Sequence, residues 1–206
     1  MTLWKILGWL GQGLFFARFI VQWWHSERAR RTVVPELFWI LSIVGTLLVG
    51  IYSATQHQWL LLAGFATNTC IYVRNLFMQH ARERSPALTH PQITVLACIG
   101  AAVIGSAALF ELKTKADPSL AWIVVGTLGQ LFWSSRFVVQ WWCSEREGES
   151  RLPAAFWWTS LAGNALLLPY SIHLGDMIFI LGFVPGLAVQ VRNLMLGRAT
   201  TQQRSA

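Results

Sequence analysis

Seven apolar runs divide the chain, at about 4–24, 37–55, 59–78, 93–110, 120–142, 156–172 and 177–196. They span about 17 to 23 residues each, enough to cross a hydrocarbon core of about 30 Å at 1.5 Å of rise per residue. Lipid offers no partner for an unpaired backbone amide, so runs of this length predict helices. A closed β-barrel would need strands of about 10 residues alternating in polarity, and these runs are too long and too uniformly apolar for that. The fold class expected is therefore all-α, a polytopic membrane protein with seven transmembrane helices and little chain left for a soluble domain.

Composition agrees. Of the 206 residues 54% are hydrophobic and 12% charged, with 12 tryptophans. A soluble domain carries about 25% charged residues. The first run has one Lys, no small-residue cleavage site and a near copy at 120–142. It is expected to be retained as a helix and not removed as a signal peptide.

The polar positions repeat. Shifted by 118 residues, the chain matches itself without a gap, with 28 identities between 4–78 and 122–196. RFIVQWWHSER at 18–28 returns as RFVVQWWCSER at 136–146. Gly11-Gln12 falls on Gly129-Gln130, Pro35 on Pro153, Phe38-Trp39 on Phe156-Trp157, Ser42 on Ser160 and Gly45 on Gly163. Tyr52-Ser53 falls on Tyr170-Ser171, Gly64-Phe65 on Gly182-Phe183, and Val73-Arg74-Asn75-Leu76 on Val191-Arg192-Asn193-Leu194.

Three helices per repeat would invert the second copy, and the unpaired run at 93–110 restores its orientation. The expected plan is 3+1+3: repeat one at 1–80, a linker with a spacer helix at 81–119, repeat two at 120–198 and a tail at 199–206. The two repeats would be parallel, related by an axis along the membrane normal. Arg28, Arg30, Arg31, Arg74, Arg82, Arg84, Arg146, Arg151, Arg192, Arg198 and Arg204 fall on one side, against Lys5, Lys113 and Lys115 on the other. Excess basic residues mark the cytoplasm, so the C-terminus is expected inside and the N-terminus outside. The same sidedness accounts for the net charge of +7 without nucleic acid as a partner.

Two arginines lie inside the runs. Arg18 sits about 12 Å up its helix from Ser26. At 100° per residue Gly11, Phe15, Arg18, Gln22 and Ser26 share one face, and helix five repeats it as Gly129, Trp133, Arg136, Gln140 and Ser144. A guanidinium at a helix centre costs about 2.5–3.5 kcal/mol on insertion scales, and less where it can snorkel. Snorkelling, or pairing with carbonyls of another helix, is the structural alternative. Two arginines at equivalent positions, each followed by a Gln one turn on, favour function, and they would face each other across the repeat axis. All nine acids fall in loops or at helix ends, so a ligand anion is the expected counter-charge. Guanidinium suits phosphate through paired hydrogen bonds. Arg74-Asn75 and Arg192-Asn193, closing the third helices, would add donors near a headgroup or serve as anchors. The candidate phosphate-binding set is Arg18, Gln22, Arg136, Gln140, Arg74, Asn75, Arg192 and Asn193.

Other signals are structural. Pro35 and Pro153 are expected in the first turns of helices two and six. Ser26-Glu27-Arg28 and its copy mark loop starts, and Gly45, Gly64, Gly163 and Gly182 allow close helix contact. Asn68 and Asn164 could hydrogen-bond across helices or, as the alternative, touch substrate, and Asp176 suits a helix N-terminus. His25, His57, His80, His90 and His173 are expected in loops, without metal-ligand spacing. Cys70, Cys98 and Cys143 show neither CxxC spacing nor an even count, so no disulfide framework is expected. No metal and no cofactor are called for.

The pattern G-Q-x6-R-F-x2-Q-W-x2-S-E-x7-P-x2-F-W-x2-S-x2-G, closing with R-N-L, resembles the lipid-A-biosynthesis N-terminal domain family, at 8–78 and again at 126–196. The resemblance implies a bacterial inner-membrane protein linked to lipid A, in some members fused ahead of a lipid-A-disaccharide synthase or found beside polyprenyl-phosphate glycosyltransferases. The 3+1+3 plan is also similar to that of SWEET and PQ-loop proteins, by topology alone. Three functions compete: binding and translocating a phosphate-bearing lipid or lipid-linked sugar, serving as a non-catalytic membrane partner of a glycosyltransferase, or synthase-type catalysis. The residues lean against the enzyme. There is no DxD, no HExxH, no paired carboxylates and no Ser–His–Asp set. In repeat two, Pro185-Gly186 replaces Thr67-Asn68, which makes helix seven the expected bending point.

Overall fold

The computed structural model describes residues 3–29, 34–80, 90–115, 119–147 and 153–205. Among them are seven α-helices and no strand: α1 (Leu3–Ala29), α2 (Glu36–Thr55), α3 (Trp59–His80), α4 (His90–Thr114), α5 (Leu120–Glu147), α6 (Ala154–Leu174) and α7 (Met177–Ser205). By length and composition, three stretches among the described residues are long and apolar enough to cross a membrane: Glu36–Thr55, Pro91–Thr114 and Leu120–Cys143. Arginines, amides and hydroxyls dilute α1, α3 and α7, and among them Arg18, Asn68, Asn75 and Gln190 are buried.

The helices outrun the apolar runs. Ser26-Glu27-Arg28 does not start a loop: α1 continues to Ala29, and α5 continues to Glu147. Glu, Arg and Ala are good helix formers, so the ladder persists past the change in polarity. The histidines correct in the same way. His25, His80, His90 and His173 are helical, and only His57 lies in a turn, at φ 54°. His173 stacks on Trp122 with centroids 4.5 Å apart. Pro35 and Pro153 stand one residue earlier than expected, as extended N-caps with ψ 156° and 162°. Their carbonyls accept from the N–H of Phe38 and Phe156 at 3.0 Å, which closes the first turn. Asp176 caps α7, its carboxylate accepting the Ile178 N–H at 2.8 Å.

The chain forms two compact units, Met1–Pro86 and Ala87–Ala206. In the first, α2 packs against both α1 and α3. In the second, α4 packs on α5, α5 on α6 and α6 on α7. Glycines set the crossings. A Cβ on Gly11 would lie 3.0 Å from the Gly45 carbonyl oxygen, and one on Gly163 would lie 2.8 Å from the Trp133 backbone nitrogen. Within each unit the outer helices of the repeat touch through long side chains: Phe15 stacks with Phe65 at 6.4 Å, and Trp133 meets Phe183 edge-on at 5.5 Å.

α4 buries one stripe, Ile93, Gly100, Ile104, Ala108 and Glu111, and exposes Val95, Leu96, Ile99, Val103 and Leu109. Glu111 ends that stripe, fully buried in the last turn, with Lys115 Nζ 2.9 Å away and the Tyr170 hydroxyl donating to it at 3.4 Å.

Candidate functional site

The Gly11–Gly45 approach draws α1 onto α2, and the antiparallel crossing brings Arg18, two turns further along α1, level with Ser42. Arg18 is only 6% exposed. Nη1 donates to Ser42 Oγ at 3.0 Å and to the Tyr72 hydroxyl at 3.3 Å, which ties together all three helices of the unit. Four rings surround its carbon: Phe15 at 4.5 Å, Phe19 at 4.9 Å, Phe38 at 5.4 Å and Tyr72 at 5.7 Å. A cation over such faces gains about 0.5–2 kcal/mol per good contact. No carboxylate pairs with Arg18 among the described residues, and its Nε is buried without an acceptor.

A ladder of hydroxyls supports this cage. Ser42 Oγ donates to the Phe38 carbonyl at 2.6 Å, Thr46 Oγ1 to the Ser42 carbonyl at 2.8 Å, and Thr69 Oγ1 to Thr46 Oγ1 at 2.9 Å. Asn68, one turn from Tyr72 on α3, is buried with its Oδ1 lacking a hydrogen-bond donor.

In the second unit Arg136 is 4% exposed. It stacks on Trp133 with 3.6 Å between the guanidinium carbon and the ring centroid, with Phe137 at 4.5 Å and Phe156 at 5.9 Å. Beyond Trp133 in place of Phe15, the surroundings differ from those of Arg18 at two further positions that matter here. Thr46 becomes Asn164 and Tyr72 becomes Gln190. Asn164 Nδ2 donates to Gln190 Oε1 at 3.1 Å and to the Phe183 carbonyl at 3.3 Å, just ahead of Pro185. Gly186 makes room: a Cβ there would lie 2.8 Å from Asn164 Nδ2.

The remaining members of the predicted set differ in burial. Gln22 is half-buried and Gln140 fully buried. Asn75 turns back on its own helix, donating to the Ile71 carbonyl at 2.9 Å. Arg74 is half-buried, Arg192 is exposed, and the Asn193 side chain lies outside the described residues, as do those of Ser26 and Ser144. Asn164 bonds across helices as expected. Sequence reasoning missed Tyr72 and Gln190, because the two positions differ between the repeats and carry no identity signal. Ser42 and Ser160 were visible as repeated hydroxyls amid apolar residues, the one available cue.

This arrangement offers a caged cation, hydroxyls and amides and, among the described residues around it, no nucleophile–base pair. Among the described residues no group of three His, Cys, Asp or Glu could hold a metal.

A profile of the Lipid A Biosynthesis N-terminal domain matches this chain twice, at 7–77 and 125–195. The chain is similar to the lipid-A-disaccharide synthase of Chlamydia pneumoniae, 31% identical over 201 residues covering 92% of this chain and 33% of that protein. The synthase of Chlamydia abortus is 32% identical over 197 residues, 89% of this chain and 31% of its own. That of Chlamydia trachomatis serovar D is 30% identical over 212 residues, 95% and 34%. This chain therefore spans about a third of the length of these relatives. No solved structure matches it.

Proposed function

The chain belongs to the Lipid A Biosynthesis N-terminal domain family, carrying the domain twice, and from that premise we propose that it binds a phosphate-bearing lipid of lipid A or lipid-linked sugar metabolism and moves it across the membrane. One observation carries the proposal: Arg18 is buried among rings and hydroxyls with no carboxylate partner among the described residues. A phosphate would supply the missing charge and take up the Nε donor. Arg136, equally buried and ring-stacked, is the equivalent group in the second repeat.

The proposal places the protein in the bacterial inner membrane as seven spans in a 3+1+3 plan, with repeats at 1–80 and 120–198. The N-terminus is periplasmic and the C-terminus cytoplasmic. Reporter fusions after residue 204 should read cytoplasmic and those within 112–118 periplasmic. The same location for both sinks the seven-span plan.

Arg18→Gln and Arg136→Gln should each weaken binding of a polyprenyl monophosphate at least tenfold while the protein stays folded and inserted. Loss of insertion, with unchanged binding in the surviving protein, returns the arginines to a structural role. For movement, Pro185→Ala should spare binding and slow transfer of labelled lipid between leaflets of proteoliposomes.

A second reading has its own support. The similar synthases are about three times as long as this chain, so the domain pair would present the lipid to an enzyme. Wild-type vesicles that bind the lipid yet never move it faster than protein-free ones decide for presentation.

A further inference from the structure

The second unit contains an amide cluster that the phosphate does not use. Asn164 is fully buried and spends both amide hydrogens, one on Gln190 Oε1 and one on the Phe183 carbonyl. Its orientation is fixed by the Phe183 carbonyl, since the flipped amide would set oxygen against oxygen there, whatever the orientation of the Gln190 amide. Asn164 Oδ1 is left without a donor, and so is Gln130 Oε1 on α5, itself 2% exposed. The two residues lie at neighbouring levels. A Cβ on Gly129, beside Gln130, would touch Leu166 and Leu167, and one on Gly163, beside Asn164, would touch Trp133. Arg136 stands one turn beyond Trp133 on the same helix.

An ionised phosphate only accepts hydrogen bonds, so it satisfies the guanidinium but neither amide oxygen. Those oxygens require hydroxyl or N–H donors. We propose that repeat two reads a sugar carried by the phosphate lipid, with sugar hydroxyls donating to Asn164 Oδ1 and Gln130 Oε1 while the phosphate lies one turn away at Arg136. This rests on the lipid-binding proposal above. Repeat one keeps Gln12 at the position of Gln130, but only half-buried, and its buried amide oxygen without a donor, Asn68 Oδ1, stands where repeat two has Gly186. Thr46, at the position of Asn164, has its hydroxyl engaged with the Ser42 carbonyl and Thr69, and Tyr72, at the position of Gln190, is engaged with Arg18. The two repeats therefore differ in task, and the sugar preference belongs to the second.

The test compares a polyprenyl monophosphate with the same lipid bearing a hexose through a phosphodiester, each titrated into the purified full-length protein. The wild type should bind the hexosylated lipid about tenfold more tightly. Asn164→Thr, which installs the residue of repeat one, should bring that ratio to about one, whereas Arg136→Gln should weaken both lipids together. Gln130→Met keeps the side-chain volume, removes the acceptor and should also lower the ratio, which keeps the test open should the Asn164 variant fail to fold. Equal binding of both lipids by the wild type, the result expected of a site filled by structural water, overturns the proposal. An unchanged preference in both variants does the same. If neither phosphate lipid binds, a methyl hexoside followed by tryptophan fluorescence separates the two proposals. Quenching that Asn164→Thr abolishes upholds the sugar site while the lipid reading fails, and no quenching ends both.

Discussion

Arg18 and Arg136 occupy the same step of a duplicated helix, yet each repeat surrounds its arginine differently. In the first, hydroxyls from α2 and α3 reach the guanidinium. In the second, Trp133 lies under it with its ring centroid 3.6 Å from the guanidinium carbon, and the neighbouring level is furnished with amides. Shared between them are the glycine crossings, the Phe-Trp opening of the middle helix and the first serine of that helix. The duplicated residues set how the backbones meet; the residues that diverged choose what the interior can bind. A difference also extends to the outer surface of the first helices. Trp23 is 50% exposed and its counterpart Trp141 only 4%, and α5 has a neighbour in α4 that α1 lacks within its own unit.

The largest expected effect tests the crossings. A Cβ on Gly163 would lie 2.8 Å from backbone, whereas one on Gly45 would meet the Gly11 oxygen and the Phe15 ring at 3.2 Å. Gly163→Ala should therefore destabilise by about 2 kcal/mol. For Gly45→Ala the change should stay within about 1 kcal/mol, since alanine's better helix propensity offsets a smaller overlap. Thermal unfolding in detergent ranks them, and the reverse order would mean that the two crossings are not tight in the way described.

Next comes α4. Lys115→Gln removes the cation 2.9 Å from the fully buried Glu111, while Glu111→Gln removes the carboxylate beside a lysine whose side chain is 33% exposed. Breaking a buried pair costs most when the buried charge is the one left behind. Lys115→Gln should be the more destabilising of the two, by about 1 kcal/mol or more, in the same unfolding assay.

A smaller change probes the diverged lining. Tyr72→Gln, which copies repeat two, removes one hydroxyl and one ring from Arg18 and should cost about 1 kcal/mol. No measurable loss would show that Arg18 is held by Ser42 and the phenylalanines alone. The smallest effect is expected at Arg28, exposed and resting on the Trp24 ring at 4.7 Å. Arg28→Gln should shift stability by less than about 0.5 kcal/mol, as exposed charges are well screened.

The helices were legible because the apolar runs are long, and the repeat because polar residues recur at one fixed offset. Helix ends were less so: Glu27, Arg28 and His25 change the polarity of the chain without breaking its hydrogen-bond ladder. The burial of both arginines could be anticipated from their place mid-run. Their partners could not, because Tyr72 reaches Arg18 across 54 positions and only the crossing geometry sets that meeting. The Asn164–Gln190 bond was hidden for the same reason, since neither residue has an identical counterpart in repeat one. Glu111 was placed correctly at a helix end, yet its full burial depends on α4 turning one stripe inward, which a uniformly apolar run does not reveal.

The cage around Arg18 also has a direction in time. If the first helix spans the membrane as proposed, a ribosome delivers Arg18 before it has made Ser42, 24 residues later, or Tyr72, 54 residues later. Until then Phe15 and Phe19, on the same helix, are its only company from the cage. A lone guanidinium costs about 2.5–3.5 kcal/mol in lipid, so the first helix would enter the bilayer uneasily and settle only once the third has been synthesised. Its commitment to the membrane would then depend on sequence not yet translated.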